Sequence, residues 1–144
     1  PDDSYKSVRL GIAEALSAGV TTVHNWAHNV RSPEHADGEL SAMRDTGIRG
    51  RFAYGPAQGM PDDKPMDFDG MARTKAKWMP GDGMLTMGIC SRNVGAMSIG
   101  GAARYMRGFT RWRDEVCPTS VDCVAGLVCG TDLSMSATFC LIRR

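Results

Sequence analysis

Three histidines that lie close together are the side chains best suited to chemistry in this sequence. They are His24, His28 and His35, and no histidine follows them. Glu34 and Asp37 lie beside the third, so a zinc site of two histidines and a carboxylate is one interpretation. The other is that His24 is a buried, hydrogen-bonded strand residue while His35 is solvated or caps a helix. We favour the second, because the spacing matches no metal-ligand motif.

Cysteine and glycine motifs indicate chemistry less strongly. Cys90 ends an apolar run, where a thiol–imidazole pair with His28 is one interpretation and plain packing is the more common role. The other four cysteines have no zinc-motif spacing, and the odd total of five favours reduced thiols: Cys117, Cys123, Cys129 and Cys140. Residues 95–100 have the glycine interval of a phosphate-binding loop but lack the lysine that must follow it.

The composition excludes several classes of partner. Lysine and arginine number 17 against 16 acidic residues, and this net charge of +1 gives no reason to expect nucleic acid or an anionic membrane. No apolar run approaches the roughly 18 residues that a membrane-spanning helix needs. We see no signal peptide at the N-terminus and expect a cytoplasmic protein. At 144 residues the sequence is also shorter than a complete (β/α)₈ barrel, which needs about 250.

Apolar periodicity predicts helices and strands in alternation. The predicted helices run from Ser4 to Gly19, from 32 to Gly47, over 67–79 and over 102–116. The predicted strands cover 20–23, 48–54 and 84–90, each with the apolar or β-branched composition of a buried parallel strand. Past residue 117, the segments 127–128 and 139–142 are candidate short strands. This alternation predicts an α/β fold with parallel strands and crossover helices.

Three segments, taken in order, resemble metal-dependent amidohydrolases. Residues 11–31, with the sequence GIAEALSAGVTTVHNWAHNVR, resemble the entry into the second barrel strand and its loop. Residues 32–55 resemble the next helix and the third strand, and residues 84–101 are similar to the fourth strand and its exit loop. The nearest branch is that of the cytosine deaminases and triazine chlorohydrolases, and the resemblance covers about residues 7–110. It implies a partial (β/α)₈-barrel-like fragment at 1–116 with about three parallel strands, followed by an irregular, cysteine-rich tail of unrelated character at 117–144.

The resemblance also implies a chemistry. Such a barrel holds a divalent metal, usually zinc, at the carboxyl ends of its strands, where a metal-bound water attacks a C–N or C–Cl carbon of a small nitrogenous compound. The tentative metal ligands would be His24, His28 and His35. The positions after the strands would shape the substrate pocket, and they are Trp26, His28, Asn29, Tyr54, Cys90 and Arg92.

Most of the family's metal ligands have no counterpart in this sequence, which leaves two hypotheses. Its His-x-His of the first strand and its later histidines are missing, so we expect a truncated amidohydrolase-like protein whose activity uses a rebuilt or intermolecular site. The alternative is a non-catalytic barrel fragment that folds and associates with itself. Three strands cannot close into a barrel, and the uncovered edges and apolar face predict a homo-oligomer in either case.

Overall fold

A computed structural model describes residues 1–61, 64, 66–79, 81, 83–90, 99–100, 103–104 and 107–108, and the backbone of 128–130 and 139–141. The chain divides into two compact units. The first consists of Pro1–Met60 and Asp69–Ser91, and the second of Pro61–Phe68 and Arg92–Arg144.

The first unit is built from alternating helices and strands. The helices are α1 (Asp2–Ser17), α2 (Pro33–Thr46) and α3 (Phe68–Trp78), and the strands are β1 (Thr22–Ala27), β2 (Arg49–Tyr54) and β3 (Leu85–Ile89). The three strands form one parallel sheet in the order β1-β2-β3, and α1 packs against α2. The predicted α/β class with three parallel strands is therefore confirmed.

Local sequence explains where the helices begin and end. Ser32 is extended and Pro33 occupies the first turn of α2, where a missing N–H costs nothing. Gly47 ends α2 with φ of 67°, a left-handed conformation that favours glycine. The first helix begins at Asp2 rather than at the predicted Ser4, since acidic residues in the first turn complement the helix dipole.

The first strand differs most from its prediction. It was expected over 20–23, but β1 covers Thr22–Ala27 because it pairs in parallel with β2 along its whole length, from Thr22 opposite Arg49 to Ala27 opposite Tyr54. The β-branched run therefore marks only the start of the strand. As a consequence Trp26, expected in the loop after the strand, lies on the strand itself.

One face of the sheet lies against the helices. A Cβ on Gly50 would collide with the Met43 side chain of α2, and the Asn25 amide donates a hydrogen bond to Glu39 of α2. Side chains point to alternate faces along a strand. Every second residue counted from Asn25 in β1 and from Gly50 in β2 therefore faces the helices. The core lies here, and its largest fully buried side chains are Phe52, Leu40, Met43, Ile48 and Met71.

The opposite face of the sheet is more polar. The strand register places eight residues on it, and we call it the Trp26 face: Thr22, His24, Trp26, Arg49, Arg51, Ala53, Thr86 and Gly88. The indole of Trp26 is 54% exposed. Large aromatic side chains are usually more buried than this, so Trp26 leaves an apolar ring surface open to solvent.

A polar cluster joins α2 to the end of α3. The Asp37 carboxylate accepts a hydrogen bond of 2.6 Å from the Trp78 indole N–H and one of 2.8 Å from the Lys77 ammonium. The Arg44 guanidinium lies 4.9 Å from the centre of the Trp78 ring. These contacts fix the C-terminal turn of α3 against α2.

In the second unit, β4 (Val128–Gly130) and β5 (Phe139–Leu141) form an antiparallel pair in which Cys129 lies opposite Cys140. The strand β5 lies within the candidate segment 139–142, whereas β4 shares only Val128 with the candidate segment 127–128. Residues 99–100, 103–104 and 107–108 are helical, but the rest of the predicted helix 102–116 lies outside the described residues. The predicted domain boundary at 117 lies there too. Among the described helices, none combines the length and apolarity that crossing a membrane requires.

Candidate functional site at the carboxyl ends of the strands

The carboxyl ends of the three parallel strands meet at Gly55. Ala27, Tyr54 and Ile89 are register partners at the ends of their strands. A Cβ on Gly55 would lie 3.0 Å from the Ala27 carbonyl oxygen and 2.8 Å from the Cys90 Cβ. The absence of a side chain at Gly55 is thus what allows the ends to converge. In parallel α/β sheets this edge is where ligands bind.

A backbone oxygen two residues earlier orients the His28 ring at this edge. Its Nδ1 lies 2.9 Å from the Trp26 carbonyl oxygen. Because a carbonyl only accepts hydrogen bonds, Nδ1 carries the proton and the lone pair of a neutral ring is on Nε2. Metal-binding histidines are commonly oriented in this way, and so are histidines that accept a hydrogen bond from a ligand.

The three histidines lie at different places in the fold. His24 lies on the Trp26 face of β1, as a strand residue, but it is exposed rather than buried as predicted. His35 is in the first turn of α2, where its Nδ1 lies 2.9 Å from the Ser32 hydroxyl oxygen. Within the described residues, no three histidine, cysteine, aspartate or glutamate side chains come together as a group that could hold a metal. The part of the chain that is described therefore does not fit a complete catalytic metal centre.

The residues predicted to line the pocket divide into two groups. Trp26 is exposed, and Asn29 lies just past the edge, where its side-chain oxygen accepts a hydrogen bond of 2.9 Å from Arg31. Tyr54 is only 2% exposed and packs edge-on against Phe52, with ring centres 6.2 Å apart, so it belongs to the core. Arg92 lies outside the described residues.

Cys90 is at the edge but is shielded from solvent. It is 3% exposed, and its backbone N–H donates to the Tyr54 carbonyl at 2.9 Å. Burial raises the pKa of the Cys90 thiol to about 11. A thiol with such a pKa stays protonated at neutral pH and is a poor nucleophile, so its position favours the packing role over the thiol–imidazole pair with His28.

Glu39 is a buried carboxyl group that the sequence analysis missed. It is 7% exposed, and the Asn25 amide donates to it at 2.8 Å. Burial raises the pKa of Glu39, against the opposing effects of the Asn25 hydrogen bond and of the His28 charge. The sequence does indicate this group, because Glu39 lies beside Leu40 on the apolar side of α2. A carboxylate buried there needs a hydrogen-bond partner.

On the Trp26 face, His24 and Arg51 are direct register partners on β1 and β2. The His24 and Trp26 rings are 5.6 Å apart and tilted by 37°. Partial burial of the His24 ring lowers its pKa, and the positive charge of Arg51 lowers it further. His24 is therefore neutral at neutral pH.

No protein-family model, curated protein or solved structure matches this chain.

Proposed function

We propose that the first unit is part of an amidohydrolase-type barrel and that its strand edge binds small nitrogenous ring compounds. The observation that carries this proposal is the convergence of three consecutive parallel strands at Gly55, beside an exposed Trp26 and an oriented His28. Parallel strands that follow one another in order, each after a helix, are the repeating unit of such a barrel. The order of the segments agrees with the order in the resembled family.

The edge residues supply two contacts to a planar nitrogenous ring. The exposed face of Trp26 offers a surface for stacking, and the His28 Nε2 accepts a hydrogen bond from a ring or exocyclic N–H. Gly55 lets the strand ends pack closely, so that the Cys90 side chain fills the space beside it and the two contact groups stay fixed. These contacts bind and orient the ring and require no metal.

Hydrolysis of a C–N or C–Cl bond is the activity that the resemblance implies, and it needs a metal-activated water. In the described residues His28 is the one histidine placed at the strand edge with Nε2 left for a ligand, so further ligands from elsewhere would be needed to complete a zinc site. We therefore propose binding as the function of the edge, and metal-dependent hydrolysis as a function that depends on additional ligands.

Two measurements on the purified chain test ligand binding and metal-dependent hydrolysis separately. Ligand-observed NMR with cytosine in EDTA tests binding, and we expect Trp26→Leu and His28→Ala to abolish it while His35→Ala leaves it unchanged. His35 is a matched control because its Nδ1 is also tied by a hydrogen bond, but in α2. Absence of cytosine binding by the folded wild type would refute the proposed edge site.

The second measurement is zinc stoichiometry by plasma mass spectrometry after dialysis against zinc. About one zinc per chain, lost in His28→Ala and kept in His35→Ala, would support the metal-dependent hydrolase and justify a substrate screen. No zinc above the buffer blank would exclude the zinc mechanism and leave binding as the function.

A self-associating fragment without catalysis is the second candidate. Within the described sheet β1 and β3 each pair only with β2, so each leaves one backbone edge without a strand partner. Such edges favour pairing between chains. Sedimentation velocity over a hundredfold concentration range tests this candidate, which predicts a rise in mass with concentration and no binding of cytosine.

A further inference from the structure

In the second unit, backbone pairing places two cysteines opposite each other. The strands β4 and β5 run antiparallel, and Cys129 is the register partner of Cys140. The neighbouring residues on both sides of this position are register partners as well, so the pair lies in the middle of the ladder. The two cysteines are distant in the sequence, with residues 130–139 between them, and it is the strand pairing that brings their backbones together.

The backbone separation of such a pair suits a disulfide. Directly opposite residues of an antiparallel pair have Cα atoms about 4.5 or about 5.5 Å apart, depending on whether the two residues exchange backbone hydrogen bonds. A disulfide spans Cα separations of about 4.4–6.8 Å. Opposite residues also lie on the same face of the pair. The register position of Cys129 and Cys140 therefore meets the backbone requirement of a disulfide.

Chain length alone would favour other pairs of cysteines in the tail. Cys117 and Cys123 are six positions apart, and so are Cys123 and Cys129, whereas Cys129 and Cys140 are eleven positions apart. Shorter loops close at a smaller entropic cost, so an unfolded tail would link the closer pairs more often. Cys90, in the first unit, is buried and does not compete in the folded chain. A preference for the Cys129–Cys140 linkage would therefore report the strand register.

We propose that Cys129 and Cys140 form a reversible disulfide across β4 and β5, by exchange with a small disulfide such as oxidised glutathione. One cysteine thiolate attacks a glutathione sulfur, so that a mixed disulfide forms and one glutathione leaves as a thiolate. The other cysteine thiolate then attacks the protein sulfur of the mixed disulfide and releases the second glutathione. Two protein thiols are oxidised to one disulfide, the small disulfide is reduced to two thiols, and the two protein thiol protons end on glutathione.

The disulfide stabilises a strand pair that backbone hydrogen bonds alone support weakly. Each strand has three residues, and within the described residues β4 and β5 form a two-stranded sheet of their own. An isolated two-stranded pair is marginally stable in water. A cross-link between register partners restricts the open conformations of the segment and favours the paired state. Reduced glutathione reverses the exchange, so the linkage responds to the redox conditions around the protein.

This inference does not rest on the strand-edge proposal, because β4 and β5 belong to the second unit. Disulfide mapping of the full chain tests it. The reduced chain is equilibrated with oxidised and reduced glutathione in EDTA, free thiols are blocked with N-ethylmaleimide, and chymotryptic peptides are analysed by mass spectrometry. Cleavage after Leu127 separates Cys129 from Cys123, and cleavage after Leu133 separates it from Cys140.

We expect the Cys129–Cys140 linkage to exceed every other linkage within the tail about tenfold, because the register raises the effective concentration of one thiol at the other. Oxidation in concentrated urea should remove this excess. Cys123→Ser is the matched control, since it keeps both register partners and should leave the yield of the linkage unchanged. Cys140→Ser should instead leave Cys129 as a mixed disulfide with glutathione, which the peptide mass reveals.

Three results would overturn the inference. One is a similar yield of all linkages within the tail, and another is the same distribution of linkages with and without urea. The third is glutathione attached to both Cys129 and Cys140 with no linkage between them. The effect on the strands has its own measurement, because the oxidised chain should exchange the backbone amide hydrogens of 128–130 and 139–141 about tenfold more slowly than the reduced chain. Unchanged exchange would contradict the stabilising role.

Discussion

Asp37 should stabilise the fold mainly through Trp78 and only slightly through Lys77. The indole N–H donates to the carboxylate at 2.6 Å in a partly buried position, and a hydrogen bond to a charged group contributes about 1.5–3 kcal/mol. The Lys77–Asp37 ion pair is open to solvent, with the lysine side chain 60% exposed, and such pairs contribute about 0–1 kcal/mol. We therefore expect Asp37→Ala to cost about 2–3 kcal/mol and Lys77→Met less than about 1 kcal/mol.

Urea denaturation at pH 7, followed by far-ultraviolet circular dichroism, measures both losses. Lys6→Met is the control, because Lys6 pairs with Asp2 on the exposed side of α1 and its loss should leave the urea midpoint almost unchanged. Equal losses in Asp37→Ala and Lys77→Met would refute the reasoning, since they would place the energy in the exposed ion pair. So would a loss below about 0.5 kcal/mol in Asp37→Ala.

The same carboxylate gives a pH dependence with a definite sign. Burial raises the pKa of Asp37, but the hydrogen bonds from Lys77 and Trp78 outweigh it and the net effect is a pKa below the ordinary 3.8. The folded state therefore favours the carboxylate more than the unfolded state does. Its contribution is present above the ordinary pKa and is lost as the pH falls through the lowered value. Asp37→Ala should remove this acid-dependent loss.

Three further predictions concern buried groups near the strand ends. Glu39→Gln should raise the urea midpoint at pH 8. In the wild type, the contribution of Glu39 to the free energy of unfolding is lost as the pH rises from 4.5 through the raised pKa of the folded state. An unchanged midpoint would contradict this. Gly55→Ala should cost about 1–3 kcal/mol by urea denaturation. Gly11→Ala, in the interior of α1 with open space around it, should instead raise the urea midpoint slightly. Cys90 should resist iodoacetamide at pH 8 until urea unfolds the chain, as read from its peptide by mass spectrometry; rapid labelling of the folded chain would contradict its burial.

Local signals in the sequence were enough to predict α2. Ser32 and Pro33 at its start and Gly47 at its end specify its boundaries by backbone chemistry that acts within a few residues. The alternation of such helices with apolar runs was enough for the α/β class. Neither signal depends on residues distant in the sequence.

The candidate site could be predicted only in part, because its geometry depends on pairing between distant residues. The end of β1 was predicted four residues too early, since its polar positions His24 and Asn25 give no strand signal until β2 lies beside them. The Asn25–Glu39 hydrogen bond joins two residues whose proximity no local pattern encodes. The orientation of His28 likewise depends on a backbone oxygen, which is invisible in side-chain composition.

The register between β1 and β2 determines how the chain tolerates insertions and deletions. Deleting one residue of β1 before Asn25 would exchange the faces of the residues that follow. Trp26 would then point towards α2, and Asn25 would point to the opposite face and lose its hydrogen bond to Glu39. Evolutionary or engineered length changes should therefore be confined to the connections, such as residues 56–61 after β2, where one more residue alters no strand. In β1, residues can therefore be substituted, but none can be inserted or deleted.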